Sequence, residues 1–422
     1  MTHYTLTCLV CQREFPDTYT LSCPFGCEGL VRTKYAARQM TLRDEKGIFK
    51  YRDWLPVSGS LLTDAEPICY KSHGLAAFLG LSDLWLVFSG YWPEIGAYAV
   101  SGSFKEFEAY PTIQRLLERR HGVIQISSAG NTGRAFAEVS ARTGQAVIII
   151  VPESARDRIF TTVQADHIML ITIAGDYADA IHLGNRMCTL PGVFPEGGAK
   201  NVARRDGMGT TMLAGTFAMG TLPDWYLQAV GSGTGGIAAY EASLRLIADG
   251  RFGNKMPRLL LFQNEPFVPM VRAWHDRRRT IRDADMPDGN DAIKKVYSDV
   301  LTNRTPPYAI CGGVYDTLMA TDGRMESVTS EDARRAGELF FKSEGIDLDP
   351  AAAVCVAGLV KAVQKDIIRP DEKILVSITG GGYSRIERLL PRFVKEPDLQ
   401  VTKMTPFEEI SAQILGWVEK YV

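Results

Sequence analysis

The sequence VIQISSAGNTGRAFAEVSARTGQAVIIIV at residues 123–151 decides the fold class, because it reads in turn as strand, loop, helix and strand. Residues 123–127 form a short β-rich run, residues 134–143 have a helical composition, and residues 146–151 are uninterruptedly apolar. Such apolar runs are typical of parallel strands that are covered on both faces of the sheet. Two parallel strands joined through a helix form a right-handed βαβ unit. We therefore predict an open parallel-sheet α/β fold.

The loop of this unit, residues 128–133, offers hydroxyl groups, an amide and the start of a helix. It follows the carboxyl end of a strand, which is where ligands bind in open α/β sheets. Because helix N-termini attract anions, the loop suits a carboxylate, with Ser128 and Thr132 as hydroxyl donors. A plain capping turn at Thr132 explains the same residues.

The same alternation continues to the end of the chain. Apolar runs at residues 85–88, 168–172, 225–230, 258–262 and 373–378 predict further strands. Residues 177–188, 237–248 and 351–365 predict helices between or after them, and Asp349-Pro350 is a capping start for the last of these. Residues 266–325 are polar and predict a mobile region.

Composition excludes several function classes. The chain has 422 residues, 45% hydrophobic and 23% charged, with a formal net charge of −2. These values are ordinary for a soluble globular protein and give no basic field for nucleic acid or a membrane surface. The sequence has no apolar run of about 18 residues and no signal-peptide pattern at its start, so we expect a cytoplasmic protein.

Four of the eight cysteines lie close together at the start of the chain, as Cys8, Cys11, Cys23 and Cys27. Paired cysteines on tight turns can present four thiolates tetrahedrally, which is the arrangement that zinc prefers. The spacing favours a structural zinc ribbon whose four positions are all filled. The alternatives are unligated thiols and a redox dithiol, although the strand–helix context of a redox motif is missing.

A candidate catalytic lysine lies in Ser101-Gly-Ser-Phe-Lys105-Glu106, just before a helix-like run at residues 107–120. Lysine is the side chain that forms Schiff bases with carbonyl cofactors. Small residues before Lys105 and a helix after it would fix the base of a mobile amine. A solvated lysine that opens a helix is the ordinary alternative.

A candidate phosphate cup follows the strand at residues 225–230, as Gly231-Ser-Gly-Thr-Gly-Gly236. Backbone N–H groups of a glycine loop at a helix start can surround a phosphate, and Ser232 and Thr234 add hydroxyl groups. The loop also satisfies the dinucleotide pattern G-x-G-x-x-G, but the nearest acid after the next strand is Glu265 and the loop lies mid-chain. We favour a cup for a mononucleotide-sized cofactor over a dinucleotide site or a structural turn.

Two further loops carry polar groups beside glycines. Lys200, Arg204 and Arg205 lie in a glycine-rich stretch at residues 195–209, which suits an anion site or a solvated surface equally. Thr379 ends a strand and precedes three glycines. Its hydroxyl could meet a heteroaromatic nitrogen in the sheet crevice, and a plain turn is the alternative.

Together these motifs resemble a known family. In chain order they are Ser-Phe-Lys105, Ser-Ala-Gly-Asn131-Thr-Gly, Gly231-Ser-Gly-Thr-Gly-Gly236, Asp349-Pro-Ala-Ala-Ala and Thr379-Gly-Gly-Gly. This ordered set resembles the fold type II pyridoxal-phosphate enzymes, the tryptophan synthase β type, and a four-cysteine ribbon before it resembles their threonine synthase branch. Within that branch the similarity is greatest to the cysteate synthases, in residues 17–23, 53–57, 88–94, 110–115 and 201–210.

The resemblance implies a role for each cofactor-binding residue. Lys105 would hold pyridoxal phosphate as an internal aldimine and, once released, remove the Cα proton. Asn131 would bind the ring hydroxyl, Thr379 would face the ring nitrogen, and the phosphate would lie in the cup. The cup residues are Gly231, Ser232, Gly233, Thr234, Gly235 and Gly236.

The implied reaction converts O-phospho-L-serine and sulfite to L-cysteate and phosphate through an aminoacrylate, in coenzyme M biosynthesis. A hydroxyl at position 379, unlike a carboxylate, leaves the ring nitrogen largely unprotonated and so favours β-elimination over transamination. Two anions need cations nearby, and the candidates are Arg134, Lys200, Arg204 and Arg205. Related synthases often have a hydroxyl residue where Ala129 stands, so the substrate carboxylate falls to Ser128, Thr132 and backbone N–H groups.

Three rival functions stay open at this point. Threonine synthase acts on O-phosphohomoserine, which is one methylene longer, and shares these motifs. A dinucleotide-dependent oxidoreductase would use the Gly231 loop, and a non-catalytic zinc-ribbon protein would bind metal without a chromophore.

We predict three parts of the chain: a ribbon at residues 1–35, a small α/β domain at 122–200, and a large cofactor-binding domain that combines 36–121 with 201–422. The resemblance implies a homo-oligomer, dimer or trimer, with small-molecule substrates, and the composition predicts no nucleic acid or membrane partner.

Overall fold

The structure is a computed structural model, which describes residues 3–120, 122–128, 130–287 and 295–422. Its strands are β1 (Tyr4–Cys8), β2 (Glu14–Phe15), β3 (Val31–Tyr35), β4 (Ile68–Lys71), β5 (Asp83–Phe88), β6 (Tyr91–Trp92), β7 (Ala97–Tyr98), β8 (Val123–Ser127), β9 (Val147–Pro152), β10 (Phe160–Thr161), β11 (Ile168–Ala174), β12 (Val193–Pro195), β13 (Trp225–Ala229), β14 (Arg258–Asn264), β15 (Arg324–Val328), β16 (Lys373–Ile378), β17 (Phe393–Val394) and β18 (Leu399–Thr402).

The α-helices in the described residues are α1 (Gly74–Leu79), α2 (Lys105–Arg119), α3 (Asn131–Thr143), α4 (Tyr177–Met187), α5 (Val202–Met219), α6 (Thr234–Asp249), α7 (Pro269–His275), α8 (Val314–Ala320), α9 (Ser330–Glu344), α10 (Pro350–Gln364), α11 (Tyr383–Leu389) and α12 (Phe407–Val418). Short 3₁₀ helices lie at Gly47–Trp54, Pro93–Ile95, Glu153–Arg158, Gly198–Lys200, Asp283–Asp285 and Asp299–Leu301.

Two open sheets organise the molecule. The larger has the order β15-β14-β13-β16-β5-β4 and is parallel except for the edge strand β4. The smaller has the order β12-β8-β9-β11-β18 and is parallel throughout. The predicted βαβ unit is β8–α3–β9, and the predicted open parallel-sheet α/β fold is confirmed.

The apolar strands are buried on both faces of the large sheet. In β14, Leu259 and Leu261 pack towards α5, α6, α7 and α8, whereas Leu260 and Phe262 pack towards α1, α9 and α10. Alternate residues of a strand face opposite sides of the sheet, and both sides are buried. A central strand therefore needs apolar residues at every position.

The small sheet is built in the same way, but its boundaries differ from the prediction. Its two faces pack against α2 and α3 on one side and α4 and α12 on the other. Strand β18 pairs with β11, so the prediction that all of residues 201–422 belong to the large domain is wrong for residues 399–418. Helix α2, predicted within the large domain, packs its apolar side against the small-sheet core and also contacts α5.

The start of the chain forms a separate antiparallel sheet of order β2-β1-β3. A buried bidentate ion pair joins Asp17 to Arg115 in α2. The hydroxyl groups of Thr33 and Tyr35 both donate to Asp206 in α5. The ribbon is thus tied to the two helices that lie between the sheets. Among the described residues, no helix combines the length and apolar character needed to cross a bilayer.

Candidate active site

One cavity lies between the two sheets and brings together most of the predicted site residues. It is bordered by the start of α2, the loop before α3, the loop before α6 and the end of β16. The predicted residues that line it are Lys105, Ser128, Asn131, Thr132, Arg204, Gly231, Ser232, Gly233, Thr234, Gly235 and Thr379.

Lys105 is the first residue of α2, and its side chain is 17% exposed. Its Nζ lies 3.2 Å from Oε2 of Glu108 and 4.7 Å from the ring centroid of Phe104. Burial lowers the pKa of Lys105, the Glu108 carboxylate opposes that effect, and the Arg204 guanidinium adds to it. A lysine whose pKa is lowered has more of the neutral amine that attacks a carbonyl or accepts a proton.

The glycine loop is tightly packed around its own backbone. Gly233 has a φ of +80°, and a Cβ there would lie 2.3 Å from Cγ2 of Val314. A Cβ at Gly235 would lie 2.2 Å from Nε2 of Gln228. Oγ of Ser232 and Oγ1 of Thr234 are 2.8 Å apart at the first turn of α6. Two hydroxyl groups and the start of α6 therefore lie together on the cavity, which suits a phosphate.

One predicted member of this cup falls outside the cavity. Gly236 is absent from the described lining, and a Cβ on it would lie 2.9 Å from Cδ1 of Leu261 in the core. Helix α6 begins at Thr234, three residues before the predicted start, so Gly236 is the third residue of the helix, and its phosphate-binding role stays a prediction.

Thr379 lies directly after β16 and is 4% exposed. Its carbonyl accepts a hydrogen bond of 2.9 Å from the N–H of Phe104, the residue before Lys105. Within the described residues its hydroxyl has no hydrogen-bond partner, so it is available to a ligand. The strand end therefore fixes the position of the lysine relative to this hydroxyl.

Asn131 begins α3 and is held by a polar network that the sequence did not reveal. Its Nδ2 donates to Oδ2 of Asp349 at 3.2 Å, and its Oδ1 accepts from Arg134 at 3.1 Å. Arg134 also donates to the hydroxyl of Tyr383 at 2.6 Å, and Tyr383 donates to Asp349 at 2.9 Å. Asp349 was predicted only as a helix cap, a role it also fills by accepting from the N–H of Ala351.

The chain matches a protein family over most of this region. A family model described as "Pyridoxal-phosphate dependent enzyme" covers residues 71–380. Over 421 residues, 100% of both chains, the sequence is 73% identical to a cysteate synthase of Methanospirillum hungatei JF-1.

The chain belongs to the cysteate synthase family of pyridoxal-phosphate dependent enzymes. It is also 56% identical to a cysteate synthase of Methanoculleus marisnigri, over 98% of this chain and 97% of that one. Among solved structures, a pyridoxal 5'-phosphate-dependent aspartate racemase superposes with a TM-score of 0.56 at 17% identity, covering 75% of this chain and 90% of that one. A serine racemase from Dictyostelium discoideum gives a TM-score of 0.51 at 16% identity, with 75% and 92% covered. The two structures show the fold alone.

Pyridoxal phosphate is the family's cofactor, and the residues present fit it. The glycine loop lines the cavity, and a Cβ at Gly233 or Gly235 would lie 2.3 Å or 2.2 Å from a neighbouring side chain. Lys105 and the unpartnered Thr379 hydroxyl lie on the same cavity, which offers an amine and a hydrogen-bonding group to a ring. The predicted cofactor is thus confirmed at the level of the family.

The predicted substrate cations are mostly engaged elsewhere. Arg205 is fully buried and donates to Glu241 at 2.9 Å and to the carbonyl groups of Ala199 and Val31. Lys200 is exposed and lies outside the described cavity lining. Both predictions are corrected. Arg205 lies on the side of α5 that packs against α6, and Lys200 is exposed in the short 3₁₀ helix that precedes α5.

The two remaining arginines differ in position. Arg134 is stacked against the rings of Phe160 and Tyr383, at centroid distances of 5.3 Å and 4.9 Å, and lies outside the described cavity lining. Arg204 does line the cavity, but its guanidinium lies 3.2 Å from Glu108 and 2.8 Å from Glu196. Both arginines are therefore already engaged by other side chains.

Ala129, the residue of the predicted carboxylate loop that differs from related synthases, lies outside the described residues.

Residues 299–303 cover the cavity and were not singled out from the sequence. A Cβ at Gly231 would lie 3.0 Å from Cα of Leu301, so this segment closes over the glycine loop. A second cavity adjoins the first and shares Tyr177, Asp299, Thr302 and Asn303 with it. Arg304 lines this second cavity. The polar composition of residues 266–325 gave no indication that residues 299–303 would border the cavity.

The four N-terminal cysteines form a cluster whose ligand atoms all lie within 4.8 Å of one another. Sγ of Cys11 and Sγ of Cys23 are 3.8 Å apart. Zinc–sulfur bonds of about 2.3 Å place two sulfurs of a tetrahedron about 3.8 Å apart, so the cluster fits zinc. Because all four ligands come from the protein, such an ion would be structural.

Proposed function

We propose that the chain converts O-phospho-L-serine and sulfite to L-cysteate and phosphate, a step of coenzyme M biosynthesis. One observation carries the proposal: the chain is 73% identical over its whole length to a cysteate synthase. The lysine beside the glycine cup supports it. Threonine synthase activity on O-phosphohomoserine is the alternative that the assay below must separate.

Lys105 would hold the cofactor, the cup at Gly231–Gly235 its phosphate, Thr379 its ring nitrogen and Asn131 its ring hydroxyl. When bound, pyridoxal phosphate draws electrons from Cα of the amino acid and so makes its proton removable. Asn131 donates to Asp349 and accepts from Arg134, and these two hydrogen bonds hold its amide at the cavity.

Lys105 would move the proton in both directions. Its Nζ takes the proton from Cα, while the Cβ–O bond breaks and phosphate leaves with that electron pair. Sulfite then forms a C–S bond at Cβ with its sulfur lone pair, and Nζ returns the proton to Cα. Atoms and charge balance between phosphoserine plus sulfite and cysteate plus phosphate.

The first turn of α3 would bind the substrate carboxylate. Oγ of Ser128 accepts from the N–H groups of Gly130 and Gly133 at 3.1 Å and 2.8 Å, which shapes the loop before Asn131. Its hydroxyl hydrogen and the hydroxyl of Thr132 would then donate to the carboxylate, with the helix start adding a favourable field.

Arg304 would supply the positive charge that Lys200 and Arg205 do not. It lines the cavity next to the lysine cavity, and no carboxylate partner is found for it in the described residues. Phosphate and sulfite both carry charge that a guanidinium binds through paired N–H groups. Arg204 would contribute only if it released Glu196.

Reduction of the reconstituted enzyme with borohydride tests the cofactor assignment. Pyridoxal phosphate should become fixed to the peptide that contains Lys105, and Lys105→Ala should abolish the label. Purified enzyme is then given phosphoserine with sulfite or phosphohomoserine with water, and cysteate, threonine and phosphate are measured. Threonine from the second mixture, without cysteate from the first, would replace the proposal by threonine synthase.

We also propose that the four cysteines bind a structural zinc ion, and that the enzyme works as a cytoplasmic homo-oligomer. The thiol cluster supports the zinc assignment. The family resemblance supports the other two.

A further inference from the structure

Glu108 is buried one helical turn from Lys105, where a carboxylate requires an explanation. Its side chain is 0% exposed, and its Oε2 lies 3.2 Å from Nζ of Lys105 and 3.2 Å from Nε of Arg204. Its Oε1 is buried without a hydrogen-bond partner in the described part of the chain. A buried charge that lacks full pairing is costly, so Glu108 in this position is poor support for stability.

The neighbouring charges form a closed set. Lys105 and Arg204 face Glu108 and Glu196, and Arg204 donates to Glu196 at 2.8 Å. Two tyrosines of the described chain adjoin this set: Tyr177, which lines the same cavity, and Tyr19, which lies near Glu196. Two cations therefore balance two carboxylates only while the lysine is an ammonium that contacts Glu108.

The contact with Arg204 cannot replace the contact with the lysine. Nε of Arg204 has no hydrogen bond in the described structure despite its 3.2 Å distance from Glu108, so its N–H is not aimed at the carboxylate. The same guanidinium is already hydrogen-bonded to Glu196. Whenever Lys105 leaves Glu108 to bind a carbonyl, Glu108 loses its only hydrogen bond among the described residues.

We propose that Glu108 is a positioning residue for Lys105, which holds the released lysine beside the cavity and exchanges a proton with it. This inference rests on the proposed function. With Glu108 as a carboxylate, the lysine waits as an ammonium. Transfer of one proton from Nζ to Oε2 leaves a neutral amine able to attack the cofactor, and the reverse transfer restores the ion pair. No net proton is gained or lost.

The electrostatics of both groups support such an exchange. Burial raises the pKa of Glu108, against the opposing effects of Arg204 and Lys105. Burial also lowers the pKa of Lys105. The two values thus move towards each other, which makes proton transfer between neighbours less uphill than in water.

The reactivity of Lys105 in full-length apoenzyme tests the proposal directly. Labelling by an amine-reactive acylating reagent is followed by peptide mass spectrometry as a function of pH, because only the neutral amine reacts. In Glu108→Gln the pH midpoint of Lys105 labelling should fall by about one unit or more, because a neighbouring negative charge is lost. Below the midpoint, Lys105 should then be labelled about tenfold faster than in the wild type.

Glu118→Gln is the matched control. Glu118 lies on the same helix but accepts from the N–H groups of Ser58 and Gly59, at 2.8 Å and 2.7 Å, and is absent from the cavity lining. In Glu118→Gln the pH midpoint of Lys105 labelling should equal that of the wild type. In the holoenzyme, Glu108→Gln should lower kcat about tenfold or more and leave KM for phosphoserine nearly unchanged.

An unchanged midpoint in folded Glu108→Gln overturns the proposal, whatever its activity. If Glu108→Gln does not fold by circular dichroism, Glu108→Asp is used, which keeps the charge but withdraws it by one methylene. An intermediate midpoint supports the proposal, and a wild-type midpoint with wild-type kcat overturns it. Failure of borohydride to label Lys105 would refute the cofactor assignment instead, because the midpoint shift does not require the cofactor.

Discussion

The buried ion pair between Asp17 and Arg115 links the ribbon to the helix that begins with Lys105. Arg115 donates through Nε and Nη2 to the two carboxylate oxygens of Asp17, at 2.7 Å and 2.6 Å. Their side chains are 1% and 0% exposed. The change Asp17→Asn keeps the volume and removes the charge, so the guanidinium would stay buried without its counter-ion.

The expected loss of stability follows from the burial. Removing one partner of a buried ion pair costs about 3–5 kcal/mol. Arg115 would keep Asn201 Oδ1 and the carbonyl of Thr20, at 2.8 Å and 2.9 Å, which are neutral acceptors. With an unfolding entropy of about 2.1 cal/mol/K per residue, a chain of this length should lose roughly 3–6 °C in Tm.

Thermal scans by circular dichroism at matched protein concentration measure this loss. The double change Asp17→Asn with Arg115→Met is the control, and it should be less destabilising than Asp17→Asn alone because no unpaired charge stays buried. A Tm within about 1 °C of wild type for the single variant would refute the account of this pair.

The pH dependence has a definite sign. Burial opposes ionisation of Asp17, but the Arg115 hydrogen bonds and charge outweigh it, and the pKa of Asp17 is lowered. Its contribution is therefore complete above the unfolded value of about 3.9 and is lost as pH falls through the folded value. The Tm difference should be equal at about pH 7 and about pH 5.

Three further predictions concern other sites. Burial and the nearby charge of Glu138 raise the pKa of Glu106 to about 7, so its ionisation destabilises the fold increasingly between about pH 4.5 and 7. The Tm of Glu106→Gln should therefore rise by about 3 °C relative to that of the wild type from pH 5 to pH 8, and a Tm difference that does not change with pH would contradict this. Purified protein should contain about one zinc per chain by elemental analysis, and its removal by a chelator should lower Tm, whereas metal-free protein of unchanged Tm would exclude a zinc ribbon. Arg304→Ala should raise KM for phosphoserine or sulfite about tenfold, with Arg304→Lys closer to wild type, and unchanged KM values would remove Arg304 from the site.

The sequence predicted the strands best where burial leaves no choice. The run at residues 373–378 is β16 to the residue, because a central parallel strand must be apolar on both faces. Strand β18 and helix α12 were not predicted, since a four-residue edge strand carries too few apolar positions to stand out. Their placement on β11 depends on a contact between residues more than 200 positions apart.

The site shows the same limit at the level of side chains. Motif order placed Lys105 and Thr379 on one cavity, because both are fixed by backbone position at a helix start and a strand end. Of the two arginines predicted on α5, Arg204 lines the cavity and Arg205 does not, since charge and glycine neighbours do not tell which face of the helix a side chain occupies. Arg205 is paired with Glu241 and so points away from the cavity, and this partner lies 36 positions further along the chain.

The contacts of α2 tie the lysine to both sheets. The N–H of Phe104 donates to the carbonyl of Thr379, which fixes the start of the helix to the end of a strand of the large sheet. The apolar side of the same helix packs against the core of the small sheet. Hydrogen bonds of Asn131 and Tyr383 to Asp349 add a further link at the cavity rim, each with a net value of about 1 kcal/mol. The distance between the amine of Lys105 and the hydroxyl of Thr379 therefore depends on how both sheets hold this one helix.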